Sequence, residues 1–258
     1  MGIFHFNQSS YSKAGKGVDK DAKTLIRPLL FFTEYFGKYG KILLANILYL
    51  LMCIPVITIG PATAGYTYVL KTLESGKHAF VASDFFEHFR KNLLQGCLRF
   101  LINLVVGYSM LLVIANFNVK ELAQLQNFFV PLLVISILIA IMNFYIWPMM
   151  VTYDLSFPAL LKNGFLFALI RLPMNLLVFA AFLLVIAVVF ALVYFLSALL
   201  SALFGMTAID FRVFAVFGVI AAVFIGASMP AFLAVFSVMP AIRKNMEGAA
   251  QKTEEEKE

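Results

Sequence analysis

Residues 42–70 read ILLANILYLLMCIPVITIGPATAGYTYVL, a stretch of 29 residues that contains no charged side chain. A single straight helix of this length would measure about 44 Å, whereas the hydrocarbon core of a bilayer is about 30 Å thick. Two complete crossings would need about 60 Å of helix, which the stretch cannot supply. Pro55 and the pair Gly60-Pro61 also interrupt it, since they disfavour a continuous helix. We therefore predict a broken helical hairpin or a re-entrant segment.

The chain as a whole is strongly apolar, with 62% hydrophobic and 13% charged residues and a mean hydropathy of +0.91. Soluble domains carry about 25% charged residues, so a soluble globular protein is excluded. Four further apolar stretches are long enough to span a bilayer, at about residues 100–117, 128–150, 173–199 and 213–239. The predicted fold is all-α: a polytopic transmembrane helical bundle with four clear spans plus the segment near the N-terminus.

The distribution of Lys and Arg indicates whether residues 42–70 cross the membrane once or enter it and return to the same side. If this stretch crosses the membrane once, alternate sides hold nine and eleven of the 20 basic residues. If the chain enters and returns, 18 lie on one side and two, Lys120 and Arg212, on the other. Cytoplasmic loops of membrane proteins carry the excess of Lys and Arg. We therefore expect a multi-pass protein of the cell (plasma) membrane with both termini cytoplasmic.

This topology gives three predicted regions. Residues 1–27 form a polar cytoplasmic tail, residues 28–242 a single transmembrane helical domain, and residues 243–258 a charged cytoplasmic tail.

Two sets of residues inside the bundle are candidates for a solute pathway. Irregular backbone within hydrocarbon must be buried against other helices or line a cavity. The helix break is therefore either a corner where helices pack closely or part of a solute site, through Pro55, Thr58, Gly60, Pro61, Thr63 and Gly65. Four asparagines at membrane depth either form interhelical hydrogen bonds or line the pathway: Asn46, Asn103, Asn143 and Asn175. We find no ionisable residue at mid-depth in the predicted spans.

An amphipathic helix is predicted between the hairpin and the next span, on the cytoplasmic face. Its apolar stripe contains Phe85, Phe86 and Phe89, and its polar residues include Arg90 and Lys91. Such a helix is either a docking surface for a protein partner or a membrane-surface anchor.

The sequence shows no pattern typical of an enzyme. HExxH, GxSxG, paired intramembrane carboxylates and a phosphate-binding Gly-Lys-Ser/Thr loop are all missing. We therefore expect a protein that is not an enzyme, with no cofactor, no metal site and no nucleic-acid partner. Any active transport would need a partner that supplies energy.

Three segments resemble the YesL-like family, a domain-of-unknown-function family of bacterial membrane proteins found mainly in Firmicutes. They are residues 46–64 with the core PVITIGPATA, residues 84–92, and residues 154–165. The resemblance covers about residues 30–200 and implies an integral membrane protein without assigned activity. Family members are typically encoded beside ABC-type carbohydrate importers and polysaccharide-degrading enzymes.

Two functions follow as expectations. The first is a non-enzymatic accessory component of carbohydrate uptake that binds the permease subunits of an ABC-type sugar importer. The alternative is a facilitator or channel for a small neutral solute.

Overall fold

The computed structural model describes residues 27–115, 125–204 and 211–255, and this part of the chain is helical with no β-strand. The predicted polar tail therefore lies outside the described residues except for Arg27, as does Lys120. The α-helices, in chain order, are α1 Arg27–Gly37, α2 Tyr39–Met52, α3 Ile59–Glu74, α4 Val81–Lys91, α5 Leu93–Ala115, α6 Val130–Met150, α7 Phe157–Ile170, α8 Leu172–Leu203, α9 Phe211–Ala221 and α10 Ser228–Glu255.

Four helical stretches are long and apolar enough to cross a membrane, which confirms the predicted transmembrane bundle. They are Leu93–Ala115, Asn127–Met150, Leu172–Leu203 and Phe214–Met246. The last of them joins α9 to α10 through a π-helical turn, Ala222–Gly226. Helix α10 continues to Glu255, so the predicted boundary of the transmembrane domain at residue 242 falls inside a helix. The first span begins at Leu93 and not near residue 100, which brings Arg99 into a membrane-spanning helix.

The helical hairpin consists of α2 and α3, and its break lies earlier than predicted. The chain leaves α2 after Met52 and forms a short 3-10 turn, Val56–Thr58, before α3 begins. The break therefore excludes four of the predicted residues, which are helical: Gly60, Pro61, Thr63 and Gly65. Pro61 is tolerated because it lies in the first turn of α3, where its missing N–H costs no helical hydrogen bond. With 14 and 16 residues, the two helices measure about 21 and 24 Å. Both are shorter than the hydrocarbon core, which favours a re-entrant hairpin.

The side chain of Thr58 closes the irregular turn at the tip of the hairpin. Its hydroxyl donates to the carbonyl oxygen of Met52 and to that of Pro55, the latter at 2.6 Å. The neighbouring residues Ile54, Val56 and Ile57 are apolar and exposed. The tip therefore presents hydrocarbon to its surroundings while its backbone carbonyls are satisfied internally, as a lipid environment requires.

Helix α3 is the centre of the bundle, and glycines let its neighbours reach its backbone. Eleven of its sixteen residues are buried. A Cβ atom built on Gly60 would lie 2.2 Å from the carbonyl oxygen of Gly96 in α5. A Cβ atom on Gly65 would lie 2.5 Å from the carbonyl oxygen of Phe85 in α4. The predicted close approach of helices at this segment is therefore present, at two separate crossings.

The N-terminal helices are tied to the last span by polar contacts far apart in sequence. The Tyr35 hydroxyl lies 2.7 Å from that of Ser228, and the Tyr39 hydroxyl donates to the Phe224 carbonyl at 3.1 Å. Glu74, the last residue of α3, also pairs with Arg243 of α10 at 2.5 Å. The hairpin is thus an integral part of the bundle and not a peripheral addition.

We expect Gly65→Ala to destabilise the protein by at least about 1–3 kcal/mol, because the added methyl group would overlap a backbone carbonyl that cannot move independently. Thermal unfolding of the purified protein in mild detergent measures the effect. Gly107→Ala is the control, since a Cβ atom there has no neighbour within 4 Å. Equal unfolding temperatures for the two variants would contradict the close contact between α3 and α4.

Candidate solute-binding cavity

A cavity of about 460 Å³ lies between the hairpin and the membrane-spanning helices. Its walls come from α2, α3, α5, α6 and α8 and from the start of α10, so the hairpin and parts of every long apolar stretch contribute. Sites for small molecules in proteins commonly have volumes of about 300–1,000 Å³ and are mostly apolar with a few placed polar groups. The cavity has the size and the position of such a site.

The walls combine aromatic rings with neutral polar groups. Its polar residues are Thr63, Thr67 and Tyr66, which carry hydroxyl groups, and Asn103 and Asn143, which carry amides. The aromatic walls are Tyr49, Phe100, Phe144, Trp147 and Phe182. Tyr49 and Tyr66 stack at 4.9 Å between ring centroids. Such a lining can stack against the apolar face of a solute and form hydrogen bonds with its hydroxyl groups.

Arg99 lies directly behind this wall, and it is a buried charged residue that the sequence patterns do not single out. Its side chain belongs to α5 and is only 1% exposed. Its Nε donates to Oδ1 of Asn143 at 2.9 Å, and its Nη2 donates to the carbonyl oxygen of Ile139 at 3.2 Å. In the sequence, Arg99 directly precedes an uninterrupted apolar stretch, so composition alone assigns it to the loop before the span.

Asn103 and Asn143 form a reciprocal pair whose orientation is set by Arg99. Each side-chain amide donates to the carbonyl oxygen of the other, at 3.2 and 3.1 Å. Because a guanidinium group only donates, the oxygen and not the nitrogen of Asn143 must face Arg99. Each asparagine uses one of its two N–H bonds in this pair, so each retains a second donor.

The other two predicted asparagines hold helices together away from the cavity. Asn46 donates to the carbonyl oxygens of Ala222 and Val223, in the π-helical turn between α9 and α10. Asn175 donates to the carbonyl oxygens of Phe167 and Ala168 at the end of α7 and accepts from the Tyr145 hydroxyl. Both saturate carbonyl groups where a helix is irregular or ends. The four asparagines thus divide into two that line the cavity and two with structural contacts.

Of the six residues predicted around the helix break, Thr63 alone is among the residues that line this cavity. Pro55 and Thr58 form the hairpin tip, and Gly60, Pro61 and Gly65 are buried in helix contacts. The break itself therefore matches the packing-corner interpretation, and the cavity lies further along α3.

The aromatic stripe of α4 packs inward against α3 and is not a free surface. Phe85 is fully buried, and Phe86 and Phe89 pack against the same core. His88 is also buried, its ring stacks on Tyr68 at 3.4 Å, and burial lowers the pKa of its imidazole. The exposed face is polar and consists of Glu87, Arg90 and Lys91. Helix α3 thus covers Phe85 completely and Phe86 and Phe89 in part, and the fully exposed face of α4 is the polar one.

We expect Asn143→Leu to cost at least about 2 kcal/mol, because it removes an acceptor from a buried charged donor. Arg99→Met removes the charge together with its need for acceptors, so we expect a smaller loss. The double variant Arg99→Met/Asn143→Leu should then be more stable than Asn143→Leu alone. Unfolding temperatures of the three variants in one detergent measure this coupling. Additive losses would contradict the contact between Arg99 and Asn143.

One comparison with known protein families finds a match, and it covers the first part of the described structure. The model of a family described as "Protein of unknown function, DUF624" matches residues 42–114. The matched region runs from α2 to the end of α5 and includes the hairpin, Arg99 and Asn103. No curated protein and no solved structure matches the chain. Residues 42–114 are therefore similar to an uncharacterised domain family, which supports the predicted resemblance to a domain of unknown function over this part of the chain.

Proposed function

We propose that this protein is a non-enzymatic membrane component of carbohydrate uptake that binds a small polyhydroxylated solute in the cavity. The observation that carries the proposal is the lining of the cavity. Aromatic rings stand beside hydroxyl and amide groups, at a volume suited to a small solute. Sugars have apolar faces and many hydroxyl groups, so they match such a lining.

The resemblance to the YesL-like family of Firmicutes supports the choice of carbohydrate, because its members are encoded beside ABC-type sugar importers. In this proposal the protein lies in the plasma membrane with both termini cytoplasmic. The 18-to-2 distribution of basic residues supports that orientation. Solute flux into proteoliposomes that contain only this chain measures whether the protein moves the solute across the membrane without a partner.

Binding is tested with the purified protein in nanodiscs by titrating a panel of neutral and acidic monosaccharides and following the unfolding temperature. We expect at least one sugar to raise the unfolding temperature in a saturable manner. Thr63→Val should weaken that sugar about three- to tenfold, because one hydrogen-bonding hydroxyl leaves the cavity wall.

Thr72→Val is the matched control for this substitution. Thr63 and Thr72 both lie on α3, and each donates to the carbonyl oxygen four residues earlier. Thr72 is not part of the cavity wall. A panel without any stabilising sugar, or equal weakening by both substitutions, would contradict sugar binding in this cavity.

A second candidate function is the accessory subunit of an ABC-type sugar importer, and the exposed face of α4 favours it. Glu87, Arg90 and Lys91 are exposed, and Lys91 pairs with Asp154 at 3.3 Å at the surface. Charged groups of this kind suit a polar contact with permease subunits.

For this second function, we expect Arg90→Glu/Lys91→Glu to reduce the recovery of importer subunits in a pull-down severalfold while leaving membrane accumulation unchanged. Reversing exposed charges changes association far more than stability. Lys162→Glu is the control, because Lys162 is an exposed basic residue on α7. Full recovery of the subunits with the double variant would exclude α4 as the contact surface.

A further inference from the structure

The charge of Arg99 is not balanced by a carboxylate in the described structure. Among the side chains that are described, the ion pairs are Glu34 with Lys38, Glu74 with Arg243 and Asp154 with Lys91. Arg99 donates only to neutral oxygens, those of Asn143 and Ile139. A buried charge is normally paired, since removing an ion from water is costly. An ionisable residue inside a membrane bundle commonly marks the path or the site of a ligand.

The close contact between α3 and α5 places Arg99 beside the cavity wall. A Cβ atom on Gly96 would lie 2.9 Å from the backbone nitrogen of Pro61. Arg99 follows Gly96 by three residues and Asn103 follows it by seven, so all three lie on one face of α5. The packing that brings α5 against the start of α3 thus also brings the guanidinium group to the cavity wall.

The hydroxyl of Tyr66 supplies an independent sign that a ligand is expected. Tyr66 lines the cavity, is 3% exposed, and its buried hydroxyl has no hydrogen-bond partner among the described residues. Buried polar groups in native proteins are almost always hydrogen-bonded, and an unsatisfied one needs an explanation. A ligand oxygen in the cavity would satisfy it.

We propose that the solute held in this cavity carries an anionic group, a carboxylate or a phosphate. The group accepts hydrogen bonds from Tyr66 and from the free amide N–H bonds of Asn103 and Asn143, and the charge of Arg99 balances its own. Among the described residues, none in the cavity wall is acidic or basic, and Arg99 is a charged side chain that is hydrogen-bonded to that wall. The inference rests on the proposed function and replaces the neutral solute expected from the sequence.

The test compares glucuronate with glucose, which differ by one carboxylate, in nanodiscs of zwitterionic phosphatidylcholine. We expect the wild-type protein to bind glucuronate at least tenfold more tightly than glucose and Arg99→Met to lose this preference. Tyr66→Phe should weaken glucuronate severalfold while it retains the aromatic stack with Tyr49. Each variant is first shown to be monodisperse, and Tyr66→Phe keeps the test informative if Arg99→Met does not fold.

The outcomes separate this inference from the function on which it rests. Equal affinity for the two sugars, or a preference that persists in Arg99→Met, would overturn the anionic site and leave sugar binding intact. Absence of stabilisation by every sugar of the panel and by glucuronate would overturn both.

An anionic group could also belong to a lipid headgroup, and a second arm distinguishes this source. The titration is repeated in nanodiscs of phosphatidylglycerol. Glucuronate affinity that is unchanged there identifies a soluble solute. If phosphatidylglycerol weakens glucuronate binding to the wild-type protein but not to Tyr66→Phe, the anionic group in the cavity belongs to a lipid headgroup. That result still supports an anionic site.

Discussion

The contact between the backbones of α3 and α5, where Gly60 meets Gly96, is the constraint on which the rest of the structure depends. In a bilayer, helices gain little from the hydrophobic effect against one another, so association relies on close packing and on polar contacts. A side chain at either glycine would separate the two helices. With that separation, the start of α3 would no longer lie beside the face of α5 that carries Arg99 and Asn103.

This constraint explains why the polar and charged groups are concentrated at one place. The four long apolar stretches are largely exposed along their length, as helices in contact with lipid are. Burial is concentrated in α3, in the second half of α6 and in the part of α10 that faces them. The cavity lies where these buried parts meet, and α2 and α3 of the hairpin form part of its wall.

Sequence reasoning predicted the spans, the hairpin and the need for small residues in α3, because these depend on length, charge and local backbone preferences. It failed where the partner of a residue decides its role. The periodicity of Phe85 and Phe89 shows that one face of α4 is apolar, and it cannot show whether lipid or α3 covers that face. Likewise, Asn46 and Asn143 look alike in sequence, while one saturates a π-helical turn and the other lines the cavity. Composition cannot reveal the role of Arg99, because the uninterrupted apolar stretch begins after it while the helix begins at Leu93.

The contacts between the first helices and the last span bear on how the chain is assembled during synthesis. Tyr35 and Ser228 are 193 residues apart, and Asn46 and Val223 are 177 residues apart. The ribosome synthesises α1 and the hairpin long before these partners. Until the last span is inserted, the side chains of Tyr35 and Asn46 therefore lack these hydrogen-bond partners. The bundle can reach its final arrangement only after the last span has been inserted, which makes a truncated chain a natural substrate for membrane quality control.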